Sequence, residues 1–156
     1  MYKKKLDELE KQLSKLHPEE IKDFIKENDG EILSEGRHFM KYMTERIKEK
    51  NLLKQDILLK ADISLGYGYK LLSEEKVTKQ RDVILRICYA AEFTVPEVQH
   101  ALQLYHMEML YPRNPRDALL MVCFNERPGS VIDVNDLLVK NDMKPLRSCG
   151  VQNNKN

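Results

Sequence analysis

Leu6, Leu9, Leu13 and Leu16 recur at alternating three- and four-residue steps, the period of an amphipathic helix whose apolar seam is only two heptads long. A seam this short does not hold a dimer by itself. Pro18 suits the first position of a second helix, with Ile21, Phe24 and Ile25 on its apolar face and Asn28-Asp29-Gly30 as its stop. Residues 1–30 therefore read as a helical hairpin or arm. Its leucines need cover, either from the rest of the chain or from a neighbouring subunit.

Farther on, RHFMKYMTERIKEKN carries an apolar stripe of Phe39, Met43 and Ile47. In LLKQDILLKADISLGYGYKL, Leu52, Ile57, Leu58 and Ala61 face inward on one short helix, while Ile63, Tyr67 and Leu71 recur at helical spacing on another. The two meet at Asp62. RDVILRICYAAEFTVPEVQHAL supplies a further helix, a break and another helix start, where Thr94 and Glu97 stand as a capping box around Pro96. That helix continues through Val98, Leu102 and Tyr105. After Tyr111, Asn114 can cap and Pro115 can open a helix through Ala118 to Phe124, which Arg127-Pro128-Gly129-Ser130 breaks. A last helix is expected from about Val134 to Lys140, before Pro145 and a polar tail from Gln152. Alternation never persists, and Val131-Ile132-Asp133-Val134 is the one stretch that reads as extended, so the fold class is all-α.

The order from Phe39 to the helix after Thr94, with Leu52-Leu53-Lys54, Ile57-Leu58, Ala61-Asp62-Ile63-Ser64, Leu71, the loop Ser73 to Gln80 and Ile84 to Ala91, resembles the phage-repressor/Cro-like (Xre-type) helix-turn-helix family. The likeness covers about residues 37–106. It implies a lambda-repressor-like five-helix DNA-binding core, flanked by the arm at 1–30 and a C-terminal helical extension at 111–147. It also implies a sequence-specific transcriptional regulator acting on double-stranded DNA as a homodimer, since two half-sites one helical turn apart multiply a modest affinity. Position by position, Lys54 and Gln55 fall where family members touch phosphate, and Ser64, Leu65, Gly66, Tyr67, Tyr69 and Lys70 fall on the reading helix.

Departures from the family pattern bear on the same residues. Asp62 and Glu92 stand where the family prefers glycine, a position that often needs positive φ. Gly68 replaces an apolar core residue, and Gly66 and Gly68 each cost the reading helix on the order of 1 kcal/mol relative to Ala. Ser64, Tyr69 and Lys70 can hydrogen-bond to bases or phosphate, Leu65 can touch a thymine methyl, and Gly66 reads nothing. An alternative stays open, a protein-interaction adaptor with the same fold, in which Gly66-Tyr67-Gly68-Tyr69 is an aromatic hot spot and Lys76, Lys79 and Arg81 a solvated loop.

Charge sharpens the picture locally. The 156 residues carry a net +1, which favours nothing globally, and 42% hydrophobic content suffices for a core. Residues 1–36 hold seven basic against ten acidic side chains, residues 37–82 eleven against seven, and the remainder eight of each. The segment with the motif alone is basic. Cys88, Cys123 and Cys149 are too scattered for a disulfide framework or zinc ribbon, and the first two read as buried and reduced. No apolar run reaches membrane length and MYKKKLDELEKQL turns acidic at once, so a cytoplasmic protein with no membrane contact is expected. His100 and His106, six residues apart on one helix, face different ways and do not suit a shared metal, while His17 and His38 read as surface residues. No P-loop, paired-histidine motif, Cys–His pair or glycine-flanked serine occurs, so no catalytic group, metal or cofactor is expected. Arg113, Arg116, Asp117 and Arg127 read as helix-end charge and loop anchoring, or as a second contact surface.

Overall fold

The computed structural model describes residues 4–32 and 37–148, among which there are α-helices, short 3-10 turns and no strands. The chain divides into two compact units, Met1–Gly36 and Arg37–Asn156. Cys149 and the tail from Gln152 lie outside the described residues.

The first unit holds α1 (Leu6–Leu13) and α2 (Ile21–Glu27). Pro18 opens a 3-10 turn, Pro18–Glu20, which leads into α2 and so delays the helix by a turn relative to the sequence expectation. Buried Asn28 closes the hairpin: its amide donates to Gln12 Oε1 (3.1 Å) and Phe24 O (3.0 Å), and its oxygen accepts from Lys4 Nζ (2.5 Å). Phe24 is buried, whereas Leu6, Leu13, Ile21 and Ile25 are exposed.

The second unit is built around α6 (Arg81–Ala90), in which every residue from Val83 to Ala90 is buried. A helix buried all round requires neighbours on every side. α4 (Lys54–Ala61), α7 (Val95–Leu104) and α9 (Val131–Lys140) pack on it, with α3 (His38–Glu49) against α5 (Leu65–Leu72) and α7, and α8 (Pro115–Glu126) against α7 and α9. Segments 37–106 and 111–147 thus contribute to one apolar cluster, Phe39 and Leu58 alongside Leu120, Phe124 and Leu138.

Caps decide where helices begin. Thr94 accepts from Glu97 N and Asn114 from Asp117 N, as their spacing predicts. The stretch Val131–Val134 is the exception to the sequence reading. Ser130 accepts from Asp133 N while Asp133 returns a bond to Ser130 N, so a capping box starts α9 at Val131 and the segment is helical instead of extended.

Arginines lock the loops. Arg81 makes a bidentate pair with buried Asp117 (2.5 and 3.1 Å), and Arg116 one with Asp82 (3.0 and 3.1 Å). Arg81 is therefore an anchor and not part of a solvated loop. Arg127 donates to Tyr89 O (2.7 Å) and Phe93 O while its guanidinium lies over the Tyr89 ring at 4.6 Å.

Candidate nucleic-acid interface

α4 stops because Asp62 takes a left-handed conformation, φ 59°. Its N–H donates to Leu59 O (3.1 Å), and the Ile63 N–H reaches back to Leu58 O (3.0 Å), so two orphan carbonyls are satisfied while buried Ile63 and Leu58 close the corner. Glu92 repeats this at the end of α6, with φ 62°, Glu92 N to Tyr89 O (3.0 Å) and Phe93 N to Cys88 O (3.1 Å). Both are positions where the sequence pattern asked for positive φ without supplying glycine.

Gly68 lets the two short helices meet. It is buried on α5, and a Cβ there would stand 2.6 Å from Leu58 Cδ1 and 2.9 Å from Leu58 Cγ, with Cδ2 nearer still. The apolar group missing from α5 is thus replaced by the Leu58 side chain reaching over from α4. Gly66, by contrast, is exposed, and a Cβ there would meet nothing within 4 Å.

Around that corner the sequence-derived residues divide. Leu65 and Tyr67 are half-buried and pack against the core. Ser64, Gly66, Tyr69 and Lys70 are exposed along α5 and at its start. On α4, Lys54 is half-buried and Gln55 exposed. Ser64 precedes α5 without its side chain capping the helix, and Leu53 cannot cap α4, so the first-turn amides of both helices lack a side-chain acceptor.

Lys54, Gln55 and Tyr69 share a groove of about 500 Å³ with Thr44, Lys48, Ile47, Leu52 and Leu53. Ser64, Gly66 and Lys70 do not line it. Thr44 and Lys48 come from α3 and were not singled out in the sequence, since a polar residue on the solvent face of an amphipathic helix carries no mark of what it faces. Asp56 and Asp62, both exposed, place two carboxylates on the same pair of helices.

The remaining polar groups are structural in character. His100 is half-buried with its ring edge-on to Tyr42 at 4.6 Å, and burial, with help from the Arg46 charge, lowers its pKa. His106 is exposed, at φ 58° just past the end of α7. Burial pushes the Cys88 thiol far up and Cys123 up as well, and both are free. Among the described residues no group of three or more His, Cys, Asp or Glu is placed to hold a metal ion. No helix among the described residues is long and apolar enough to cross a membrane. Neither family models, nor curated proteins, nor solved structures give a match to this chain.

Proposed function

We propose that the protein is a sequence-specific regulator of transcription that binds double-stranded DNA through α4 and α5 as a helix-turn-helix, within a repressor-like core formed by α3 to α7. The carrying observation is the pairing of a tight α4–α5 corner with an outward edge whose polar ends are uncommitted. Ser64, Tyr69 and Lys70 on α5, and Lys54 and Gln55 on α4, make no side-chain hydrogen bond or ion pair among the described residues. In this arrangement α5 enters the major groove with Ser64, Tyr69 and Lys70 at base edges, and the exposed part of Leu65 meets a thymine methyl. Lys54, Gln55 and Lys48 hold phosphate, and Gly66 leaves the backbone free to approach closely. A homodimer in the cytoplasm places two copies of α5 on successive half-sites.

The test is a titration of duplex DNA carrying a selected site against the chain and its Tyr69→Phe/Lys70→Gln double variant. Specific binding should vanish in the variant with helical content unchanged. Equal binding by both removes the assigned reading surface.

A second reading, a protein-interaction adaptor, is favoured by one observation. Leu53 is 66% exposed and Tyr69 42% exposed, and both line the groove beside α4, which gives that face an apolar anchor. Under it, DNA titration is flat and a stoichiometric protein partner persists in extract after nuclease treatment.

A further inference from the structure

Residues 143–148 lie against α6, α8 and α9 and bound a cleft of about 1130 Å³. Four cationic side chains line it, Arg86, Arg116, Lys144 and Arg147, against a single carboxylate, Asp82. Asp82 is already spent. Its Oδ1 accepts from Arg116 (3.1 Å) and its Oδ2 from Arg116 (3.0 Å) and from the Arg147 N–H (2.9 Å).

Arg86 is the unusual member. It is 5% exposed, and its guanidinium donates only to backbone carbonyls: Arg147 O (2.8 Å), Leu146 O (2.8 Å) and Ala61 O (3.1 Å). Among the described residues no carboxylate pairs with it. Buried charges are ordinarily paired, because carbonyl dipoles solvate a cation without neutralising it. A guanidinium has five N–H donors, and three of these are used. The Lys144 and Arg147 side chains, both exposed at the rim, make no bond to any described residue. Asn114 and Pro115, at the start of α8, also line the cleft and turn the positive end of that helix toward it.

We propose that this cleft binds a small organic anion carrying at least two negative charges, a phosphomonoester or a di- or tricarboxylate. The anion supplies the counter-charge that Arg86 lacks and is gripped by Lys144 and Arg147 from the rim. The cleft is an open one, wider than an enclosed small-molecule pocket; it exceeds what a single chloride needs and leaves room for a metabolite-sized ligand. Arg86 also holds the Ala61 carbonyl at the end of α4, so the cleft and the α4–α5 corner share one guanidinium.

The experiment is thermal unfolding of the full chain with inorganic phosphate or citrate titrated against sodium chloride at matched ionic strength. No nucleic acid is present, so the outcome is independent of the DNA-binding proposal. The expected result is a saturable rise in Tm of several degrees with at least one probe, and the stronger probe identifies the head group. Lys144→Gln/Arg147→Gln should unfold at the parent temperature in chloride and lose the rise, whereas Lys76→Gln/Lys79→Gln, also exposed cations, should keep it. Absence of saturation with both probes, or an equal rise in the Lys144/Arg147 variant, overturns the site.

Discussion

Two glycines two residues apart on one short helix should respond differently to the same substitution. At Gly66 the added methyl enters open space on an exposed helical face. Gly66→Ala should therefore gain up to about 1 kcal/mol from backbone entropy alone. At Gly68 the same backbone gain is available, but the methyl collides with Leu58. The collision involves Cγ as well as both terminal methyls, and Leu58 is 0% exposed, so rotating one methyl away does not relieve it. Overpacking of this kind costs about 1–3 kcal/mol, which outweighs or cancels the helical gain. The difference between the two variants, about 1–3 kcal/mol, measures the α4–α5 contact itself. Urea denaturation followed by far-UV circular dichroism reads it directly. A third variant isolates the cause, since Leu58→Ala should make Gly68→Ala favourable by emptying the space the methyl needs. If Gly68→Ala stabilises as much as Gly66→Ala, the two helices do not meet at this contact and the corner described above is wrong.

Arg86→Met leaves the carbonyls of Ala61, Leu146 and Arg147 without a donor and should cost about 2–4 kcal/mol in denaturant, whereas a neutral outcome would show that those carbonyls find other donors. Glu92→Gly removes a left-handed side chain from an exposed turn and should gain about 0.5–1 kcal/mol in the same assay, with a loss as the contradicting result. Burial works against the Glu97 carboxylate, but the Thr94 amide and Lys50 ammonium (2.9 Å) outweigh it and hold its pKa below the usual carboxylate range. A depressed carboxylate stabilises the fold above its unfolded pKa, and that contribution disappears as pH falls through the folded value. Glu97→Gln should accordingly lower Tm at neutral pH and flatten the acid side of the stability profile, and an unchanged acid limb would contradict the pairing.

Local chemistry was legible in this chain wherever a few neighbouring residues fix the backbone. Thr94 with Glu97, and Asn114 with Pro115, announce their helices because a cap and the backbone N–H it accepts from lie within one turn. Asp62 and Glu92 were marked as left-handed positions by the family resemblance, which puts glycine there, and both have positive φ. Ser130 with Asp133 carries the same kind of signal, but the alternating Val131-Ile132-Asp133-Val134 masked it as a strand, and the capping box decided the outcome. The pairs Arg81–Asp117 and Arg116–Asp82 span more than 30 residues, and the bonds from Arg86 to Leu146 and Arg147 about 60. Nothing local marks such partners, because they are chosen by packing of α6, α8 and the C-terminal segment. The same reason hid Lys48 beside Lys54, and the exchange of an apolar side chain on α5 for Leu58 reaching over Gly68.

The central claim is that α4 and α5 engage DNA, and fluorescence anisotropy of a labelled duplex over a range of salt concentrations tests it most directly. The account predicts a linear fall of log K with log salt, with a slope of about −0.9 per phosphate contact. Lys54→Gln and Lys48→Gln, at the two lysines assigned to phosphate, should each make that slope shallower by about 1 with the fold intact. Absence of binding at low salt, or slopes in both variants equal to that of the parent, would contradict it.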